Sequence, residues 1–175
     1  MHGWMNQSVL YLFDAYVKRD LKVILELGSW FGQSALEMCS RTDAQIITVD
    51  LYEFKKEWLA GIKSLDQSKL DNIREHFYAN LWEHKDQVTP LYMQSVSGIQ
   101  EVKRFGIVPD LIYVDAGHKY EDVEADLRHS FHAFPNAQII GDDWNLGGVA
   151  KAVLEFCTTH GKRVQLYDKK TYAIV

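Results

Sequence analysis

The stretch VILELGSWFGQSAL, residues 23–36, reads as a strand at Val23–Leu27, a glycine turn and the start of a helix. A nearly unbroken apolar run of this length suits a strand covered on both faces, as in a parallel sheet. Gly28 and Gly32 let the backbone turn sharply at the strand's carboxyl end and approach a ligand with no Cβ in the way. Glu26, just before the turn, can be buried only if something satisfies it, such as a bound ammonium group or neighbouring backbone. A lone G-x-x-x-G is weak evidence by itself, so its meaning depends on the segments downstream in the chain.

Working outward, β-rich runs recur at Ile46–Asp50, Val88–Met93, Leu111–Asp115 and Gln138–Gly141, most of them leading into a helical pattern. Such alternation predicts an α/β, Rossmann-like, doubly wound and mostly parallel sheet with helices on both faces. The tail RVQLYDKKTYAIV, 163–175, places two strand-like runs around Asp168–Lys170 with no helix between them, so a hairpin and one antiparallel strand should close the sheet. Val9, Leu10, Leu12, Phe13, Tyr16 and Val17 recur at helical spacing after Ser8, which predicts an N-terminal helix within 1–20 with Ser8 as its N-cap. Pro90, Pro109 and Pro135 are each expected where a strand is about to begin. Residues 51–69 mix aromatics with charges and are either a candidate lid or an ordinary surface helix. No internal repeat, low-complexity tract or linker divides the chain, so a single domain over 1–175 is expected.

The 175 residues are 47% hydrophobic and 13% aromatic, enough for a full core but little room for a second one. Nineteen Lys and Arg against 24 Asp and Glu give a net charge of −5, the wrong sign for a protein that works on phosphate backbones or anionic lipid. A small-molecule substrate is expected, with no nucleic-acid or membrane partner. Cys39 and Cys157 lie in apolar helical stretches without CxxC spacing, which predicts reduced thiols and, with no basic leader or long apolar segment, a cytoplasmic location.

Asp50 ends the second strand, one strand, one helix and one strand beyond Glu26. A carboxylate there can accept ribose hydroxyls, which points to a nucleoside-type ligand without separating its kinds. The dinucleotide fingerprint G-x-G-x-x-G is not met, since Trp30 and Gln33 stand where glycines would admit a pyrophosphate, and this disfavours a nicotinamide cofactor. Asp115 and His118 in LIYVDAGHKYEDVEADL (111–127), and Asp142 and Asp143 in IIGDDWNLGGVAKAV (139–153), fall at strand ends where such folds bind ligands. Adjacent strand residues point to opposite faces, so Asp142 and Asp143 can serve one site only if the strand has ended. Gly141, Gly147 and Gly148 around them favour that. Asp126 is expected as a structural hydrogen-bond acceptor, and the other histidines show no ligand spacing.

The segments ILELGSWFGQSAL, TVDLYE, LYMQSV, LIYVDAGHKYEDVEADL and IIGDDW followed by GGVAKAVLEF resemble the class I S-adenosylmethionine-dependent methyltransferases. Within these they are similar to a small O-methyltransferase-like group that carries VDxxHxYExVxxDL followed by GDDW. The resemblance implies a seven-stranded sheet whose last-but-one position holds the reversed final strand. It implies that Glu26, Gly28, Ser29, Gly32 and Ser34 line the methionine end of S-adenosylmethionine, that Asp50 holds its ribose, and that Gln94 and Ser95 lie against its adenine. It further implies a divalent cation on Asp115, Asp142 and Asp143, with His118 as base and Asp115 both in the catalytic set and beside the cofactor. Oxygen ligands with room for water suit Mg²⁺, and an imidazole suits proton transfer.

The function so implied is metal-assisted O-methylation of a small hydroxylated molecule, such as a sugar or a natural product. A nicotinamide-dependent oxidoreductase and a non-catalytic cofactor-binding module are the alternatives. Larger relatives use extra N-terminal helices for the acceptor pocket, and this chain shows one, so a homo-oligomer is one way to complete it.

Overall fold

The computed structural model describes residues 5–53 and 72–175. In chain order these form α1 (Gln7–Tyr16), β1 (Val23–Leu27), α2 (Gln33–Cys39), β2 (Gln45–Asp50), α3 (Ile73–Leu81), β3 (Val88–Tyr92), α4 (Ser95–Arg104), β4 (Leu111–Val114), α5 (Tyr120–Ala133), β5 (Gln138–Gly141), α6 (Gly147–His160), β6 (Val164–Tyr167) and β7 (Thr171–Ile174). The strands make one seven-stranded sheet in the order β3-β2-β1-β4-β5-β7-β6. Pairings from β3 to β5 are parallel, and β7 runs antiparallel to both β5 and β6. The expected architecture is present, including the reversed final strand one place in from the edge.

Strand alternation divides the core between two faces. Ile24, Ile46, Leu111 and Tyr113 pack with Leu12, Phe13, Met38 and Phe77 from α1, α2 and α3. Leu25, Leu27, Ile112 and Val114 pack with Ile99, Leu127, Val153 and Phe156 from α4, α5 and α6. Glu26 is therefore on the side of Ile24 and Tyr113, and it is buried there. Strand order reverses between β1 and β4, and the carboxyl ends on either side of that reversal form the crevice where open α/β sheets take ligands.

Two local expectations are corrected. The N-cap of α1 is Asn6, not Ser8: the Asn6 carboxamide oxygen accepts from the Ser8 and Val9 backbone N–H groups at 2.9 and 3.3 Å. Ser8 lies inside the helix, where its hydroxyl donates to Asp168 at 3.1 Å. Pro90 sits within β3 and not ahead of it. The sheet tolerates it because β3 is an edge strand, with one side of its backbone unpaired in the sheet among the described residues. The candidate lid lies outside the described residues except for 51–53. Among the described residues, no helix is long and apolar enough to cross a membrane. Cys39 and Cys157 are free thiols.

Candidate active site

The turn after β1 is held by backbone hydrogen bonds that converge on Asp50. Its Oδ2 accepts from the N–H groups of Ser29 and Trp30, each at 2.8 Å, and its Oδ1 from the N–H of Tyr52 at 2.7 Å. These bonds fix the turn although Trp30 and Tyr52 have left-handed φ angles of 43° and 51°. Gly28, at φ 85°, donates to Val49 at 2.8 Å and lies so close to β4 that an added Cβ would stand 2.1 Å from the Asp115 carbonyl oxygen. The ends of β1, β2 and β4 thus meet at one rim. Ser29 is buried, and its hydroxyl pairs with the Tyr52 phenol at 3.1 Å.

Glu26 lies beneath this turn, fully buried. The Ser34 hydroxyl on α2 donates to its Oε1, while Oε2 has no hydrogen-bond partner among the described residues. Burial pushes its carboxyl up to about 8, against the lowering effect of Ser34. A buried carboxylate oxygen without a donor is what the ammonium end of an amino-acid-bearing cofactor would satisfy. Asp50 has three of about four lone-pair sites engaged, so it can accept a ribose hydroxyl without surrendering a bond. The residues present therefore fit a nucleoside cofactor with a methionine tail, whereas the Trp30 indole, stacked on Phe31 at 4.8 Å, stands where a dinucleotide would need glycine. Gln94 and Ser95 open α4 on the same rim, where the Met93 N–H donates to the Asp50 carbonyl at 3.1 Å. Asp126 is buried on α5, and burial raises its carboxyl to about 7, against the lowering effect of Ser95.

Across the β1–β4 crevice lies the acidic half. β5 ends at Gly141, and Asp143 takes a left-handed φ of 62°, so the two aspartates are released from the pleat. One ligand atom each from Asp115, His118 and Asp143 falls within 4.8 Å of the others. Among the described residues no other such group of three occurs. Asp142 is not part of it; it is buried, and its Oδ1 accepts from the Asp143 N–H at 2.7 Å. His118 is exposed, and its Nε2 meets Asp143 Oδ2 at 2.8 Å, which raises the imidazole above its ordinary range. Burial raises Asp115 well above the carboxylate range, with Asp142 and Asp143 adding to it, and burial likewise lifts Asp142 to about 6. Three carboxyl groups crowded in this way repel one another, and a cation would relieve that repulsion.

The supports of this cluster were not evident from motif spacing. Tyr113 donates to Asp115 Oδ2 at 3.1 Å, the Lys170 carbonyl accepts from the Trp144 N–H at 2.7 Å, and Gly148 packs against the carbonyl of His118. Only the first left a trace in the sequence, since Tyr113 and Asp115 are two residues apart and share a strand face.

Solved structures of similar shape share little sequence with this chain. A precorrin 8W decarboxylase from Methanobacterium thermoautotrophicum superposes with a TM-score of 0.67 at 14% identity, over 99% of this chain and 91% of its own. A Staphylococcus aureus protein described as a candidate caffeoyl-CoA O-methyltransferase gives 0.67 at 14% over 99% and 84%, and a TDP-rhamnose 3'-O-methyltransferase of calicheamicin biosynthesis gives 0.61 at 17% over 94% and 77%. At such identities the likeness establishes the fold alone. No protein of curated function matches. The model of a methyltransferase domain family matches residues 25–144, from β1 through the acidic loop and most of the chain. The chain therefore belongs to the methyltransferase domain family, and its methyl donor is accordingly S-adenosylmethionine.

Proposed function

We propose that the protein is a metal-assisted O-methyltransferase of a small hydroxylated molecule. The observation that carries this reading is the convergence of Asp115, His118 and Asp143 within 4.8 Å, with Asp115 at the end of β4 that also packs against the Gly28 turn. When bound, S-adenosylmethionine supplies an electrophilic sulfonium methyl. A divalent cation on Asp115 and Asp143 would supply Lewis acidity, lowering the pKa of an acceptor hydroxyl.

The chain's own residues then have separate tasks. Glu26 receives the ammonium end of the donor and Asp50 its ribose, which sets the methyl toward the acidic half of the rim. His118, donating through Nε2 to Asp143, carries its lone pair on Nδ1 when neutral, so the acceptor's proton goes to Nδ1. Asp143 orients that ring as well as facing the cation, and Asp142 holds Asp143 through its backbone N–H. The acceptor is expected to be a small hydroxyl compound, and a second copy of the chain is one means of closing its pocket.

Calorimetric titration with S-adenosylhomocysteine and with Mg²⁺, on the native protein and on Asp143→Asn, tests this. Cofactor affinity should stay within about twofold while ion affinity falls about tenfold or more, as loss of ion-site groups does. Unchanged ion affinity in the variant would remove the metal and leave proton transfer to His118 alone.

A further inference from the structure

We propose that Tyr113 is a positioning residue: its buried hydroxyl, held in place by Phe13 of α1, fixes the Asp115 carboxylate for a divalent cation. This rests on the metal-assisted reading above. Tyr113 is 1% exposed, and its ring meets that of Phe13 edge-to-face with centroids 5.0 Å apart at 80°. A phenylalanine would satisfy that packing equally well. The hydroxyl adds a desolvation cost that only a hydrogen bond can offset, and its bond is to Asp115 Oδ2 at 3.1 Å. Because residues two apart share a strand face, the phenol reaches the carboxylate from beneath the rim and leaves the crevice side open.

The support continues outward. Phe13 is fully buried in α1, and α1 is tied to the β6–β7 hairpin by Ser8 Oγ donating to Asp168 and by Thr171 Oγ1 donating to the Ser8 carbonyl at 3.3 Å. The same hairpin holds the acidic loop through the Lys170 carbonyl. Asp115 and Asp143 are therefore braced from one direction by elements remote from the chemistry. Ligating carboxylates are ordinarily held by such outer hydrogen bonds, and removing one weakens ion affinity by about tenfold or more.

Mn²⁺ titration followed by electron paramagnetic resonance compares the native protein, Asp115→Asn, Tyr113→Phe and Phe13→Leu, with S-adenosylhomocysteine affinity measured in parallel. Tyr113→Phe should weaken Mn²⁺ by about tenfold and leave the nucleoside ligand within about twofold. Phe13→Leu, which keeps the hydroxyl but loosens its ring, should weaken Mn²⁺ by a smaller factor, about threefold. If Asp115→Asn binds Mn²⁺ as the native protein does, the metal reading falls and this proposal with it. If Asp115→Asn loses the ion but Tyr113→Phe retains it, the positioning role alone is overturned. Equal loss of both ligands in Tyr113→Phe would also overturn it, by showing general damage. Should Tyr113→Phe fail to fold, Phe13→Leu decides, and native Mn²⁺ affinity there rejects the proposal.

Discussion

The two halves of the rim are built in opposite ways. Around Gly28 and Asp50, shape is held by the main chain: three N–H groups converge on one carboxylate, and β1, β2 and β4 meet at van der Waals distance. Around Asp115 and Asp143, side-chain contacts join the main-chain brace, and burial, with Asp142 and Asp143 adding to it, raises the proton affinity of Asp115. The first half is preorganised by its main chain, with Glu26 buried beneath it. The second stores repulsion that a cation or a proton must relieve.

The sharpest way to break this contrast is Gly28→Ala. The new methyl would meet main-chain atoms of Asp115 and Ala116, and φ 85° is strained for any residue with a side chain. A loss of about 4 kcal/mol of stability is expected, with loss of S-adenosylhomocysteine binding, read by denaturant titration and calorimetry.

Glu26 tests the buried carboxyl beneath the Gly28 turn. Its folded carboxyl, near 8, lies above its unfolded range near 4.5, so the folded state keeps a proton that the unfolded state releases. The resulting penalty is absent below the unfolded value, grows as pH rises through that interval and is complete above the folded value. Glu26→Gln should therefore match the native protein below pH 4.5 and exceed it by on the order of 5 kcal/mol above pH 8. Calorimetry at neutral pH in buffers of different ionisation enthalpy should show proton release when S-adenosylhomocysteine binds the native protein and none with the variant.

Gly148→Ala perturbs only the acidic half. A Cβ there would lie 2.8 Å from the His118 carbonyl oxygen and 3.0 Å from the Tyr120 nitrogen. Displacing that segment should cost about 2 kcal/mol of stability and lower kcat, with donor affinity unchanged. Equal losses on donor and ion binding would show that the two halves are mechanically one.

Much of this arrangement was legible in the chain. β1 and β5 fall where their apolar runs place them, and the hairpin arises from two strand patterns with no helix between. What escaped depends on contacts between distant segments. Asn6 and Ser8 are both plausible caps by composition, and only the turn geometry chooses Asn6. Pro90 is acceptable inside β3 because, among the described residues, no strand pairs beyond it in the sheet, a fact of strand order. Of the adjacent Asp142 and Asp143, the left-handed turn at the second selects which one faces His118. Tyr113 reads as an ordinary core aromatic until its hydroxyl is seen on Asp115.

The Lys170 carbonyl that secures Trp144 sits in the final hairpin. Fraying of that hairpin would thus free the acidic loop while the main-chain bonds onto Asp50 stay in place.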